Sequence, residues 1–127
     1  MTTAIEYKTP NLTLYVQDRY ILAMANQYTI ISEKEIDFLS TVAKKHFTNA
    51  FGLIEVRERN ISIDPLIHTK AKEALPNFSA YALVTNSKVA IQNFQLEDSF
   101  MKYEHHKLCN TIDEAKSWIS SVLPKTQ

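Results

Sequence analysis

From Ser32 onward, apolar strand-like runs alternate with segments that open on a helix cap, and few folds accommodate that order. Ser32-Glu33-Lys34-Glu35 has the spacing of a capping box, in which the serine and the glutamate three residues on satisfy each other's backbone N–H groups. Ile36, Leu39, Ala43 and Phe47 follow as a helical stripe. Lys44, Lys45 and His46 suit the negative end of that helix. Ala50–Val56 reads as a strand, and Gly52 inside it predicts close approach by a packed neighbour. Asp64-Pro65 predicts the next helix, with Asp64 as N-cap, Pro65 in the first turn and Leu66, Ile67, Ala71, Ala74 and Leu75 as its apolar side, ended by Pro76. Ser79–Thr85 reads as a buried strand. Ser87 caps a helix carrying Val89, Ala90, Ile91 and Phe94, with Phe100 and Met101 as candidates for its extension. His106–Cys109 is the last strand. Thr111-Ile112-Asp113-Glu114 opens the final helix, whose stripe is Ile112, Ala115, Trp118, Ile119 and Val122.

Upstream of Ser32, Leu12, Leu14 and Val16 alternate with Thr13 and Tyr15, the period of a half-buried strand. Gln17-Asp18 separates this run from Arg19–Ala25, which is apolar on both faces, as in a covered strand. The two runs predict a hairpin. The order is therefore β-β-α-β-α-β-α-β-α. It predicts an α/β fold with a five-stranded mixed, mostly parallel sheet and four helices, Leu12–Val16 forming its antiparallel edge. The length of 127 residues fits one domain, residues 1–127, with an ordered core over about 11–123 and short disordered ends. Phe47, Phe78, Tyr81, Phe94, Phe100, Tyr103 and Trp118 supply the aromatic mass of one core or its margin.

Composition excludes several functions. Lys plus Arg number 14 and Asp plus Glu number 14, so the chain lacks the basic excess of a nucleic-acid binder. One cysteine, Cys109, rules out an internal disulfide and a CxxC site. One glycine rules out the glycine-rich phosphate loops. The uncharged run Tyr20–Ser32 contains Asn26, Gln27 and Thr29 and is too short for a membrane span. Met1–Pro10 carries Glu6 and Lys8 and no apolar stretch, so no secretory leader is expected and the cytoplasm is the expected location.

The element order and the closing Leu108–Ile119, with Thr111, Asp113, Glu114, Ala115, Trp118 and Ile119 at matching places, resemble the small bacterial STAS/SpoIIAA-like proteins. Ala80–Val84 followed by Ser87-Lys88-Val89-Ala90 is also similar. The resemblance spans the chain in topology, but its specific residues lie in the last third. It implies a five-stranded mixed sheet with helices mainly on one face, and a non-enzymatic module that binds another protein. It also implies a phosphorylated Ser or Thr, in an Asp-Ser-x-Gly-like motif, before the helix that follows the third strand. Ser62 is the matching residue here; Asn60–Pro65 contains no glycine, and Asp64 takes the expected cap position, so the switch motif is incomplete.

Few residues suggest chemistry. His105 and His106 are adjacent, so on a strand they point to opposite faces and do not share a metal ion. His105, Lys107 and Cys109 share a face but lack further ligands, and a buried structural cysteine is the commoner state. Asp113-Glu114 is explained by capping, and Glu97-Asp98 reads as a solvated face. No catalytic residues, metal or cofactor are therefore expected. Arg57, Glu58, Arg59 and Asn60 follow a central strand at the carboxyl edge, where α/β sheets tend to bind ligands. With Tyr28 and Asn86 they form the candidate partner-binding rim, in which loops 57–64 and 26–31 are expected to carry the contact; a solvated loop is the plainer alternative. An unknown protein partner and a homodimer through the exposed first strand are the expected partners. A small-molecule or lipid-binding domain of the same class is the rival reading.

Overall fold

A computed structural model describes residues 4–26, 28–58 and 61–125. The strands are β1 (Ile5–Lys8), β2 (Leu12–Val16), β3 (Tyr20–Ala25), β4 (Ile30–Ile31), β5 (Phe51–Val56), β6 (Ser62–Ile63), β7 (Phe78–Val84) and β8 (His105–Cys109). The helices are α1 (Glu33–His46), α2 (Leu66–Ala74), α3 (Lys88–Glu97) and α4 (Ile112–Val122), with a single 3₁₀ turn at Asp98–Phe100. The main sheet has six strands in the order β1-β2-β3-β5-β7-β8; β4 and β6 form a separate two-stranded sheet. The first two pairings are antiparallel, and those from β3 to β8 are parallel.

The expected α/β class, mixed and mostly parallel sheet and four helices are present; the strand number and the edge are corrected. Ile5–Lys8 pairs with β2, so Leu12–Val16 is not the edge. An edge strand is held by main-chain bonds on one side and needs little apolar surface, so exposed Ile5, Glu6 and Lys8 gave no strand-like pattern. β4 and β6 are two residues each, too short for any periodicity to mark them.

From β3 to β8 the strand order advances in one direction. Successive crossovers of one hand then lay their helices on one face. Ile36, Leu39, Val42 and Ala43 of α1, Ile67 and Ala71 of α2 and Phe94 of α3 pack there against Leu14, Ile21, Leu53, Tyr81 and Leu83. On the other face, Ala115, Ile119 and Leu123, on and just past α4, pack against Ile54, Ala80, Ala82, Val84 and Cys109.

The caps follow the sequence with local adjustments. Ser32 donates both its N–H and its hydroxyl to Glu35 Oε1, at 2.7 and 2.8 Å. Glu114 N–H donates to Thr111 Oγ1 (3.0 Å), whereas the Glu114 carboxylate accepts from Asn110 N–H rather than from Thr111. At α2, Pro65 rather than Asp64 is the residue before the first helical turn; Asp64 instead accepts from the Leu66 N–H at 3.0 Å. Leu66, expected in the core, is half exposed, and His68 takes the buried side of the helix with Ile67 and Ala71.

Candidate functional site

β3, β5, β7 and β8 run parallel and end on one edge of the sheet, at Ala25, Val56, Val84 and Cys109. Between the loops that leave β5, β7 and β8 lies an open groove of about 640 Å³. Val56, Val84 and the exposed Val89 give it apolar surface, and Asn86, Lys88 and Asn110 give it polar rim. α3 and α4, which leave the adjacent strands β7 and β8, pack on opposite faces of the sheet, and the groove opens at the edge where these two helices diverge, although the strand order does not reverse there.

The expected rim residues do not all reach this surface. Glu58 is exposed beside the groove, and Asn86 is exposed on its lip. Tyr28 is 77 % exposed and has a φ of 65°, a backbone region that a bulky side chain rarely adopts. It lies on the loop between β3 and β4 rather than on the groove wall. Arg59 and Asn60 lie outside the described residues. Ser62 is exposed on β6, where its N–H donates to the Thr29 carbonyl; it sits on a strand, not in the first turn of α2.

Arg57 is the main correction. Its side chain is 1 % exposed and turns inward, so it offers nothing to a partner in this conformation. Nε and Nη2 donate to the two Glu55 carboxylate oxygens at 2.8 and 3.1 Å. Nη1 and Nη2 donate to the Glu97 carboxylate at 2.7 and 3.1 Å, and Nη2 also reaches Tyr81 Oη at 3.1 Å. Tyr81 in turn donates to Glu55. His68 Nε2 lies 2.7 Å from Glu97 Oε1, and its Nδ1 lies 2.9 Å from Tyr103 Oη. A neutral His68 ring that donates from Nε2 leaves Nδ1 to accept from the Tyr103 hydroxyl.

The electrostatics are those of a closed network. Burial works against the Glu55 carboxylate, but the Arg57 charge and the bonds from Arg57 and Tyr81 outweigh it and hold its pKa below the ordinary value. Burial likewise opposes the charge on Arg57, and Glu55 more than compensates. Burial, reinforced by the Glu55 and Glu97 charges, pushes both tyrosine hydroxyls upward. Among the described residues every buried side-chain nitrogen or oxygen has a hydrogen-bond partner. A cluster whose donors and acceptors are consumed internally holds structure rather than presenting reactive groups.

The sequence held a signal for this cluster that composition alone does not reveal. Glu55 and Arg57 are two apart on one strand and its continuation, hence on one face. Glu97 follows Ala90 and Phe94 at helical spacing, so it shares their buried side and is not the solvated carboxylate expected. Beside the cluster lies an apolar cavity of about 50 Å³, walled by Leu14, Ala23, Leu39 and Phe78, with Glu55 and His68 at its polar margin. An engineered cavity that admits benzene measures about 150 Å³, so this space is too small for a lipid chain or an aromatic ring.

The remaining candidates are inert or apart. Cys109 is buried against α4, and burial followed by the Glu114 charge raises its thiol pKa, the opposite of an activated nucleophile. His106 pairs with Asp98 at 2.6 Å, while His105 is exposed on the opposite face of β8. Among the described residues no group of three or more His, Cys, Asp or Glu could hold a metal ion, and no helix is long and apolar enough to cross a membrane. In comparisons with known proteins, no family model, no curated protein and no solved structure matches this chain.

Proposed function

We propose that the protein is a non-enzymatic, STAS-like module that binds a segment of another protein at the carboxyl edge of its sheet. The observation that carries this reading is the 640 Å³ groove with exposed Val89 beside a polar rim. Interfaces combine an apolar centre with a polar margin in this way. Two further observations support it. The one cluster of buried ionisable groups described above is internally satisfied, and the apolar cavity is too small for the small-molecule or lipid reading. The crossover helices also share one face, as the STAS resemblance implies. Phosphorylation of Ser62 has weaker support, because the serine lies on a strand and the glycine of the motif is missing.

The test is affinity capture of partners with the intact chain, followed by direct binding of the recovered partner. Val89→Glu puts a charge among the apolar lining of the groove from an exposed position, and should weaken binding at least tenfold with the fold intact. Lys116→Glu, exposed on α4, should bind as the wild type does. Undiminished binding by the Val89 variant, or capture of no partner at all, overturns the proposal.

A further inference from the structure

We propose that β1 is a self-complementary docking edge, at which a second copy of this chain pairs antiparallel in the register centred on Tyr7. This inference is independent of the groove, which lies at the other side of the sheet order. β1 ends the six-stranded sheet and pairs with β2 alone.

The direction of its free main-chain groups follows from the neighbouring turn. Ile5 faces Val16 and Tyr7 faces Leu14, and Thr9 continues this register opposite Leu12. The Thr9 N–H donates to the Leu12 carbonyl at 2.8 Å, so Thr9 turns its main-chain groups towards β2. Main-chain direction alternates along an antiparallel strand. Tyr7 and Ile5 therefore also bond inward, and the N–H and C=O groups of Glu6 and Lys8 point away from the sheet. Pro10, with no N–H, ends the edge.

Charge selects the register. A two-fold axis perpendicular to the sheet keeps each face on its own side, so facing residues come from the same face. Glu6 and Lys8 share one face, opposite Tyr15 and Thr13 of β2, and Ile5 and Tyr7 share the other. Centring the pair on Glu6 sets glutamate against glutamate, and centring it on Lys8 sets lysine against lysine. Centring it on Tyr7 sets Glu6 of each copy against Lys8 of the other, at positions whose main-chain groups point outward to bond. Opposite charges in facing positions stabilise a sheet, and like charges there destabilise it. On the other face this register brings Tyr7 against Tyr7. Each ring is already fixed by a hydrogen bond between its hydroxyl and His46 Nε2 (2.6 Å), so little side-chain freedom is lost in that contact. Lys45 stands over each ring and adds repulsion near the axis. Edge pairing of four residues buries far less than the ~1,200 Å² of a stable complex, so the dimer is weak and salt-sensitive.

Sedimentation over a concentration series, micromolar to millimolar, tests it with four chains: wild type, Glu6→Lys, Lys8→Glu and the double reversal. Glu6 and Lys8 are exposed, so the fold should survive, and far-ultraviolet circular dichroism checks that it does. Each single variant sets like charges against each other in both facing pairs and should raise the dimer Kd roughly tenfold or more. The double reversal should restore wild-type association. An equimolar mixture of the two single variants should associate, because each supplies the charge the other lacks. A wild-type chain that stays monomeric throughout overturns the proposal. Single variants that self-associate as the wild type does, or a mixture that fails to associate, overturn the register and with it the proposal.

Discussion

Arg57 shows how one side chain can settle the character of a region. Its guanidinium spans two carboxylates and a phenol, tying β5 to β7 through Tyr81 and to α3 through Glu97, while His68 links Glu97 to α2. Replacing a buried ion pair by apolar groups is often harmless, but removing one partner strands the others. Arg57→Met should therefore cost about 3–5 kcal/mol in urea denaturation, because Glu55 and Glu97 are left without their cation. Asn86→Ala, on the exposed groove lip, should stay within about 0.5 kcal/mol of wild type. A loss below about 1 kcal/mol for the Arg57 variant would mean that the carboxylates find water or neutralise without strain. The inward turn of Arg57 was not legible from its charge or from its place after a strand, where an exposed rim is the ordinary expectation. It follows from partners on two other elements, Glu97 forty positions away and His68, whose proximity only the tertiary fold creates.

At the scale of elements, Gly52 links β5 to α4. A methyl group at this position would lie 3.0 Å from both Cδ1 and Cγ2 of Ile119 and 3.3 Å from the Ala80 carbonyl oxygen. The helix can sit this low on the sheet because the strand offers no side chain there, and Ala80 and Ala82 on β7 keep the neighbouring surface shallow. Gly52→Ala should therefore destabilise the protein by about 1–3 kcal/mol, the usual cost of overpacking. Ile119→Val removes Cδ1 and half of the conflict, so the glycine substitution should cost less in that background. Strict additivity in the double-mutant cycle would sink this account of the packing. The close approach at Gly52 was readable because a lone glycine inside an apolar strand has few other uses. The same holds for the capped helices: Ser32, Ser87 and Thr111 each precede the helices their spacing predicts. β1, β4 and β6 were not readable. They are short, largely exposed and held by main-chain pairing, which leaves no periodic mark in the side chains.

Across the whole molecule the alternation of elements carried the architecture: once β3 is in place, each crossover adds the next strand on the same side, and the parallel run to β8 follows. The groove was legible only as a place, the carboxyl edge, because its walls depend on which side chains turn in and which turn out. The turned-in groups in turn make stability depend on pH from both ends. Glu55 and Glu35 have pKa values below the ordinary carboxylate range: burial opposes this in both, but Arg57 and Tyr81 outweigh it for Glu55, and Ser32 and Asn11 outweigh it for Glu35. A depressed carboxylate stabilises the fold above its unfolded value, about 4.3, and that contribution is lost as pH falls through the lower folded value. Tyr81 and Tyr103 are shifted the other way, mainly by burial. Their contribution is complete below the unfolded value of about 10 and is lost as pH rises beyond it, since only the unfolded chain releases those protons readily. Urea midpoints should therefore be level between roughly pH 6 and pH 9 and fall on both flanks. Glu55→Gln should make the acid flank shallower, with Glu35 still contributing there, and leave the alkaline one sloping, whereas Tyr103→Phe should make the alkaline flank shallower, with Tyr81 still contributing, and leave the acid one intact. Acid and alkaline slopes that both match wild type in the two variants would show that the buried network does not govern the pH response.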